Sequence, residues 1–166
     1  MAENTLSVAI VMGSESDLGV MRKAADVLEK LGIGHEIRIM SAHRTPDLVG
    51  EWACEAADRG IKVIIAGAGA AAALPGVVAA HTSLPVIGVP IDATALSGVD
   101  ALYAIVQMPS GVPVATVSID GATNAGVLAA QILALQDEEI AERLENMTAE
   151  RRAGVIDSDR RVHGEA

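Results

Sequence analysis

Apolar residues follow two rhythms along this chain, and the rhythms alternate. Leu6 to Met12 (LSVAIVM) is a continuous apolar run apart from Ser7, the pattern of a central parallel strand covered on both faces. From Leu18 to Leu31 the spacing turns helical, with Leu18, Met21, Ala24, Ala25, Leu28 and Leu31 on one side and Gly32 closing the helix. Residues 35–40 predict a second, more polar strand, and residues 46–59 a second helix ended by Gly60. Lys62 to Ala66 predicts the third strand, followed by a Gly-rich turn and a short helix. Pro85 to Val89 predicts the fourth strand, Val99 to Val106 a helix, Pro113 to Ile119 the fifth strand, and Asn124 to Leu135 an Ala-rich helix. Strand and helix alternate through residue 135, which predicts an α/β doubly wound domain on a parallel sheet with right-handed crossovers.

The pattern changes at Gln136. Residues 136–166 carry nine acidic and five basic residues. Residues 137–152 predict a helix whose only apolar stripe is Ile140, Leu144 and Met147. A stripe that narrow predicts a helix lying on a surface or on a neighbouring subunit. The tail after Gly154 is expected to be mobile. The division is thus 1–135 for the α/β domain and 136–166 for an appended helix, tail and oligomer contact within the same domain.

Composition narrows the picture. A chain of 166 residues supports one domain with a substantial core, but it has no Phe, one Trp and one Tyr. Ala, Val, Ile, Leu and Met must build that core, and 16 Gly allow close packing. The lone Cys54 excludes an intramolecular disulfide, is expected in the core of the second helix, and suits a reducing cytoplasm. From Val63 to Ile91 there is no Asp, Glu, Lys or Arg. Its seven Gly and Pro residues argue for buried strands and turns rather than a membrane span. No charged region followed by an apolar stretch marks the N-terminus, so no signal peptide is expected. A net charge of −10 argues against nucleic acid as a partner, because there is no basic stripe to neutralise phosphates. An anionic small molecule would need a local cation.

Candidate chemistry gathers at three strand exits, where ligands bind in open parallel sheets. After the first strand comes Gly13-Ser14-Glu15-Ser16-Asp17. Ser14 and Asp17 have capping-box spacing, and the same groups suit phosphate and ribose hydroxyls. After the second comes Ser41-Ala42-His43-Arg44-Thr45-Pro46. It sets an imidazole that titrates near neutrality beside a permanent cation, with Thr45 as the expected N-cap and Pro46 as the first helical residue. After the third comes Gly67-Ala68-Gly69, leading into four alanines and Leu74-Pro75-Gly76. Its backbone N–H groups are unobstructed and suit a carboxylate or CO2-sized group. The dinucleotide fingerprint, the Walker sequence and the nucleophile elbow are missing, and the four His and single Cys lack metal-ligand spacing. His81 is expected at a helix end, and His35 and His163 in solvent. No metal or cofactor is expected.

Taken together, GSESD, SAHRTP, AGAGAAAALPG, LPVIGVP, ALSGVD and IVQMPSGVPVAT occur in register from about residue 6 to residue 135. In that order they closely resemble the PurE family, N5-carboxyaminoimidazole ribonucleotide mutases of purine biosynthesis. The resemblance implies a flavodoxin-like three-layer fold on a five-stranded sheet. It also implies a homo-octamer whose sites draw on neighbouring subunits. It implies transfer of a carboxyl group from the exocyclic nitrogen of an imidazole ribonucleotide to ring carbon C4. His43 would be the general acid and then the base. Ser14 and Arg44, with Ser41, would hold the 5′-phosphate, and Asp17, beside Ser16, would accept from ribose hydroxyls. Ala68, Gly69 and Leu74 would line the CO2 side. Two positions depart from the family pattern: Ala70 stands where a Gly is usual and Ala73 where a His is usual. Two further readings therefore stay open, direct carboxylation of aminoimidazole ribonucleotide and a nucleotide-binding protein with altered or lost activity.

Overall fold

The computed structural model describes residues 6–164. Five parallel strands lie in the order β2-β1-β3-β4-β5. They are β1 (Leu6–Met12), β2 (Gly34–Ile39), β3 (Val63–Gly69), β4 (Val86–Ile91) and β5 (Ala115–Thr116). The helices are α1 (Leu18–Lys30), α2 (Pro46–Cys54), α3 (Leu74–Ala80), α4 (Val99–Val106), α5 (Ala122–Ala134) and α6 (Glu138–His163). Successive side chains on a strand point to opposite faces. Val8, Ile10, Met12, Val63, Ile65, Ile87 and Val89 therefore pack under α1 and α5. Ala9, Val11, Ile64, Ala66 and Val86 pack under α2, α3 and α4. This is the predicted three-layer, doubly wound sheet with an added C-terminal helix.

Several boundaries differ from the sequence expectation, each for a local reason. β3 runs three residues further, through Gly67, Ala68 and Gly69, because pairing with β4 continues to Gly69 and Ile91. A side chain at Gly67 would collide with Met21, so only glycine keeps α1 against the sheet there. β5 shrinks from the expected seven residues to Ala115–Thr116. Beyond it the chain still follows β4, with Val117 N–H donating to Gly88 O at 3.1 Å and Asp120 N–H to Pro90 O at 2.8 Å.

The second helix ends at Cys54 rather than residue 59. Residues 55–60 continue as turns, closed by Gly60 in a left-handed conformation, φ +91°. Cys54 is exposed, against expectation, because Val49, Trp52, Ala53 and Ala56 take the inward face of this segment. Trp52 Nε1–H donates to Glu36 Oε1 at 3.0 Å, and Arg59 lies over the indole at 5.6 Å, which ties the end of α2 back to β2.

α6 does not stop near Gly154 but remains helical to His163, so the expected tail is helix over the described residues; Glu165 and Ala166 lie outside them. Ile140, Leu144 and Met147 pack on the chain's own α1–α5 layer. Arg143 fixes the contact, donating to Leu31 O at 2.8 Å at the end of α1 and pairing with Glu139 at 3.0 Å. Gly32 has φ +66°, and a Cβ there would stand 2.7 Å from Arg143 Nη1.

Candidate functional site

The chain leaves β1 toward β2 on one side and later enters β3 on the other. The exits from β1 and β3 therefore diverge and open a crevice at the carboxyl ends of the strands. A cleft of about 220 Å³ occupies it. All nine residues singled out in the sequence line this cleft: Ser14, Ser16, Asp17, Ser41, His43, Arg44, Ala68, Gly69 and Leu74. One wall is polar and comes from the exits of β1 and β2. The other is apolar and comes from the exits of β3 and β4.

At the exit of β1 the chain makes one turn of 3-10 helix, Glu15–Asp17, before α1 begins. Ser14 caps that turn, its Oγ accepting from Ser16 N–H at 3.3 Å. The Ser16 hydroxyl faces two acceptors, Ser14 Oγ at 2.9 Å and Asp17 Oδ1 at 3.1 Å, and has one hydrogen to give. Asp17 is the one charged residue buried among the described residues. Burial raises its pKa above the ordinary 3.8, opposed by the Ser16 hydroxyl, the Ser14 backbone and the Arg44 charge. An acid held this way favours a ligand that brings its own hydrogen-bond donors.

The loop after β2 is closed on itself. Thr45 Oγ1 accepts from Ser41 N–H at 2.9 Å and donates to Ser41 O at 3.1 Å. Thr45 is the N-cap of α2 and Pro46 sits in the first turn, as expected, but the Thr45 hydroxyl is spent within the loop and makes no side-chain cap bond to the helix. Arg44 turns toward the exit of β1, donating from Nη2 to Gly13 O at 2.6 Å and from Nε to Ser41 Oγ at 3.3 Å. Two of its five N–H groups are so engaged, and the rest remain for an anion. His43 is exposed at the cleft and, among the described residues, has no hydrogen-bond or ionic partner. Its ring is free to exchange a proton with a ligand.

The opposite wall consists of Ala68, Gly69, Ala70, Ala71, Ala73, Leu74 and Ala93. A side chain at Gly69 would come within 2.5 Å of Ala93 Cβ, so the wall is packed from behind by the β4 exit. Ala93 was not anticipated from the sequence, and Gly13 was anticipated only as part of its loop. The strand-exit rule applied to β4 would have found Ala93, whereas Gly13 matters only through its carbonyl. Ala70, one of the two family departures, has φ +49°. A left-handed residue costs about 1–2 kcal/mol when it carries a Cβ. Ala73 is half-buried with ordinary helical angles, φ −78° and ψ −24°.

The other histidines lie outside the cleft. His81 ends α3, as expected, with Nδ1 at 2.9 Å from Val77 O. His35 is not solvated as expected but largely buried, with Nδ1 at 3.2 Å from Ile33 O, because the edge strand folds it over the end of α1. His163 is exposed beside Asp159. Among the described residues no cluster of three or more His, Cys, Asp or Glu could hold a metal ion, and no helix is long and apolar enough to cross a membrane.

The model of the AIR carboxylase family matches residues 7–153. The chain belongs to the AIR carboxylase family. Its relatives include the N5-carboxyaminoimidazole ribonucleotide mutase of Thermotoga maritima, 55% identical over 93% of this chain and 91% of that protein. The mutase of Bacillus subtilis is likewise 55% identical, over 91% of this chain and 94% of the relative. The crystal structure of Treponema denticola PurE superimposes with a TM-score of 0.83 at 36% identity, covering 93% of this chain and 96% of that one. This chain and that solved structure therefore share one fold over most of their length.

Proposed function

We infer that this chain is an N5-carboxyaminoimidazole ribonucleotide mutase, an isomerase of de novo purine biosynthesis. It converts that ribonucleotide to 4-carboxy-5-aminoimidazole ribonucleotide. The observation that carries the reading is His43, an unpartnered imidazole between a polar wall and a wall of Gly and Ala. The names of relatives 55% identical to it favour the mutase over direct carboxylation and over loss of activity.

The chemistry needs one proton carrier. His43, protonated, gives its proton to the exocyclic nitrogen as the N–C bond to the carboxylate breaks and CO2 departs. The electrons of that bond stay on nitrogen. Ring carbon C4 then attacks the carbon of CO2, and neutral His43 takes the proton from C4 to restore the aromatic ring. Arg44, with Ser14 and Ser41, holds the 5′-phosphate, while Asp17 and Ser16 meet the ribose hydroxyls. Ala68, Gly69 and Leu74 keep CO2 beside the ring, so recapture behaves as an intramolecular step. No ATP is consumed.

The reading extends to self-association as a homo-octamer in the cytoplasm, with α6 and residues 136–166 contributing contacts. A compact monomer of 17.0 kDa exposes about 7,700 Å², whereas this chain exposes 9317 Å². The excess, about 1,600 Å², is roughly twice the ~800 Å² that each partner gives to a standard protein interface. Val99, Tyr103 and Val106 are exposed apolar residues on α4, with Leu96 exposed in the turn before it, and Val155 and Val162 are exposed on the distal half of α6.

The test is direct. Purified protein is mixed with N5-carboxyaminoimidazole ribonucleotide without ATP, and formation of the C4-carboxylated isomer is followed. Conversion without added bicarbonate supports the mutase. Turnover of uncarboxylated aminoimidazole ribonucleotide only with bicarbonate points instead to the carboxylase, and tight binding without turnover to a binding protein.

A further inference from the structure

Ala70 combines three features found together nowhere else among the described residues. It carries a Cβ in a left-handed backbone conformation, φ +49°. It is exposed rather than used in the core. It lines the cleft. The other non-glycine residues with positive φ, Ser97 and Asp120, do not line it. Nothing in the packing demands the methyl group. A side chain at the neighbouring Gly69 would meet Ala93 and Ile91 O, whereas Ala70 is exposed. A glycine at residue 70 would adopt the same backbone without strain. Strain held at the wall of a site is a reason to look for a task there.

We propose that Ala70 is a specificity-determining residue, its methyl group packing against the heterocyclic ring of the ligand and not against the ribose phosphate. The polar groups that suit phosphate and ribose all sit on the other wall, at Ser14, Ser16, Asp17, Ser41 and Arg44. A ligand whose ribose phosphate occupies that wall leaves its ring to face the alanines. One buried methyl group contributes about 0.8 kcal/mol, a fourfold change in affinity. The assignment of ring and phosphate ends rests on the functional reading above.

The test compares wild type with Ala70→Gly, using 5-aminoimidazole ribonucleotide and ribose 5-phosphate as probes in calorimetric titrations, with a thermal melt of each protein. The expected result is about fourfold weaker binding of the ribonucleotide, unchanged binding of ribose 5-phosphate, and a melting temperature that does not fall. Equal weakening of both ligands, no change in either, or a lowered melting temperature would overturn the proposal. Failure of the functional reading shows up separately, as no turnover of the carboxylated substrate by the wild type.

Discussion

Arg44 Nη2 and the carbonyl oxygen of Gly13 stand 2.6 Å apart, so the guanidinium bridges the exits of β1 and β2 across one end of the cleft. The two residues are 31 positions apart in sequence. The bond aims the side chain from the second loop over the first, where Ser14 caps its turn. A phosphate seated there would meet Arg44 already oriented, and a hydrogen bond to a charged group contributes about 1.5–3 kcal/mol. Arg44→Lys keeps the charge but loses the planar fork. It should raise KM at least tenfold while kcat changes less, as read from steady-state kinetics. A KM within twofold of wild type would remove Arg44 from phosphate binding.

His43→Asn should lower kcat by roughly 10²–10⁴, the usual share of general acid–base catalysis. Binding of ribose 5-phosphate should stay within a few-fold of wild type, because among the described residues the imidazole has no hydrogen-bond partner whose loss would disturb the loop. Single-turnover rates and calorimetry separate the two effects. Retained turnover would take His43 out of the mechanism.

Asp17 is buried at a cost to stability above its ordinary pKa. Its folded pKa lies above its ordinary value of 3.8, mainly through burial. The folded state therefore holds this proton to higher pH than the unfolded chain does. Stability from this group falls as pH rises from about 3.8 through the raised folded value, then stays constant. Asp17→Asn should remove that fall, leaving the variant more stable than wild type at pH 7 and closer to it at pH 3.5. Its affinity for the ribonucleotide should drop. Urea denaturation at several pH values checks the first claim; a variant less stable at pH 7 would contradict it.

Arg143→Ala removes the donor to Leu31 O and the ion pair with Glu139. The exposed pair adds little, so the loss should be near the ~1 kcal/mol of a single hydrogen bond. Amide exchange should quicken in α6 and at the end of α1, with kcat unchanged. A change in kcat without a change in exchange would mean that α6 acts on the site by another route.

Tyr103→Glu places a charge among the exposed apolar residues on α4. Light scattering should show a smaller assembly, with the circular dichroism of the folded chain retained. An unaltered mass would place the contacts between copies elsewhere.

Much of this protein was determined by its sequence alone. Apolar runs mark β1, β3 and β4, broken only by Ser7 at the half-buried start of β1, because a parallel strand buried on both faces has almost no polar position to show. Helical spacing marks α1 for the opposite reason, since it buries only one side. The residue types at the three exits named the cleft, because strand ends in a doubly wound sheet are where polar groups meet without filling the core. The tertiary structure decided the rest. Whether Pro113 to Ile119 pairs along its length depends on how far β4 runs beside it, and only Ala115 and Thr116 qualify as strand. Whether Cys54 is buried depends on which face of α2 meets the sheet, and Val49, Trp52 and Ala53 take that face. The extent of α6 past Gly154 is not written in any apolar stripe, and Arg143 at the end of α1 anchors its first half. That Arg44 would reach Gly13, that Ala93 would back Gly69, and that Ala70 would hold its methyl group at φ +49° all depend on distances between segments remote in sequence. Local periodicity carries no information about such distances; the packing of layers sets them.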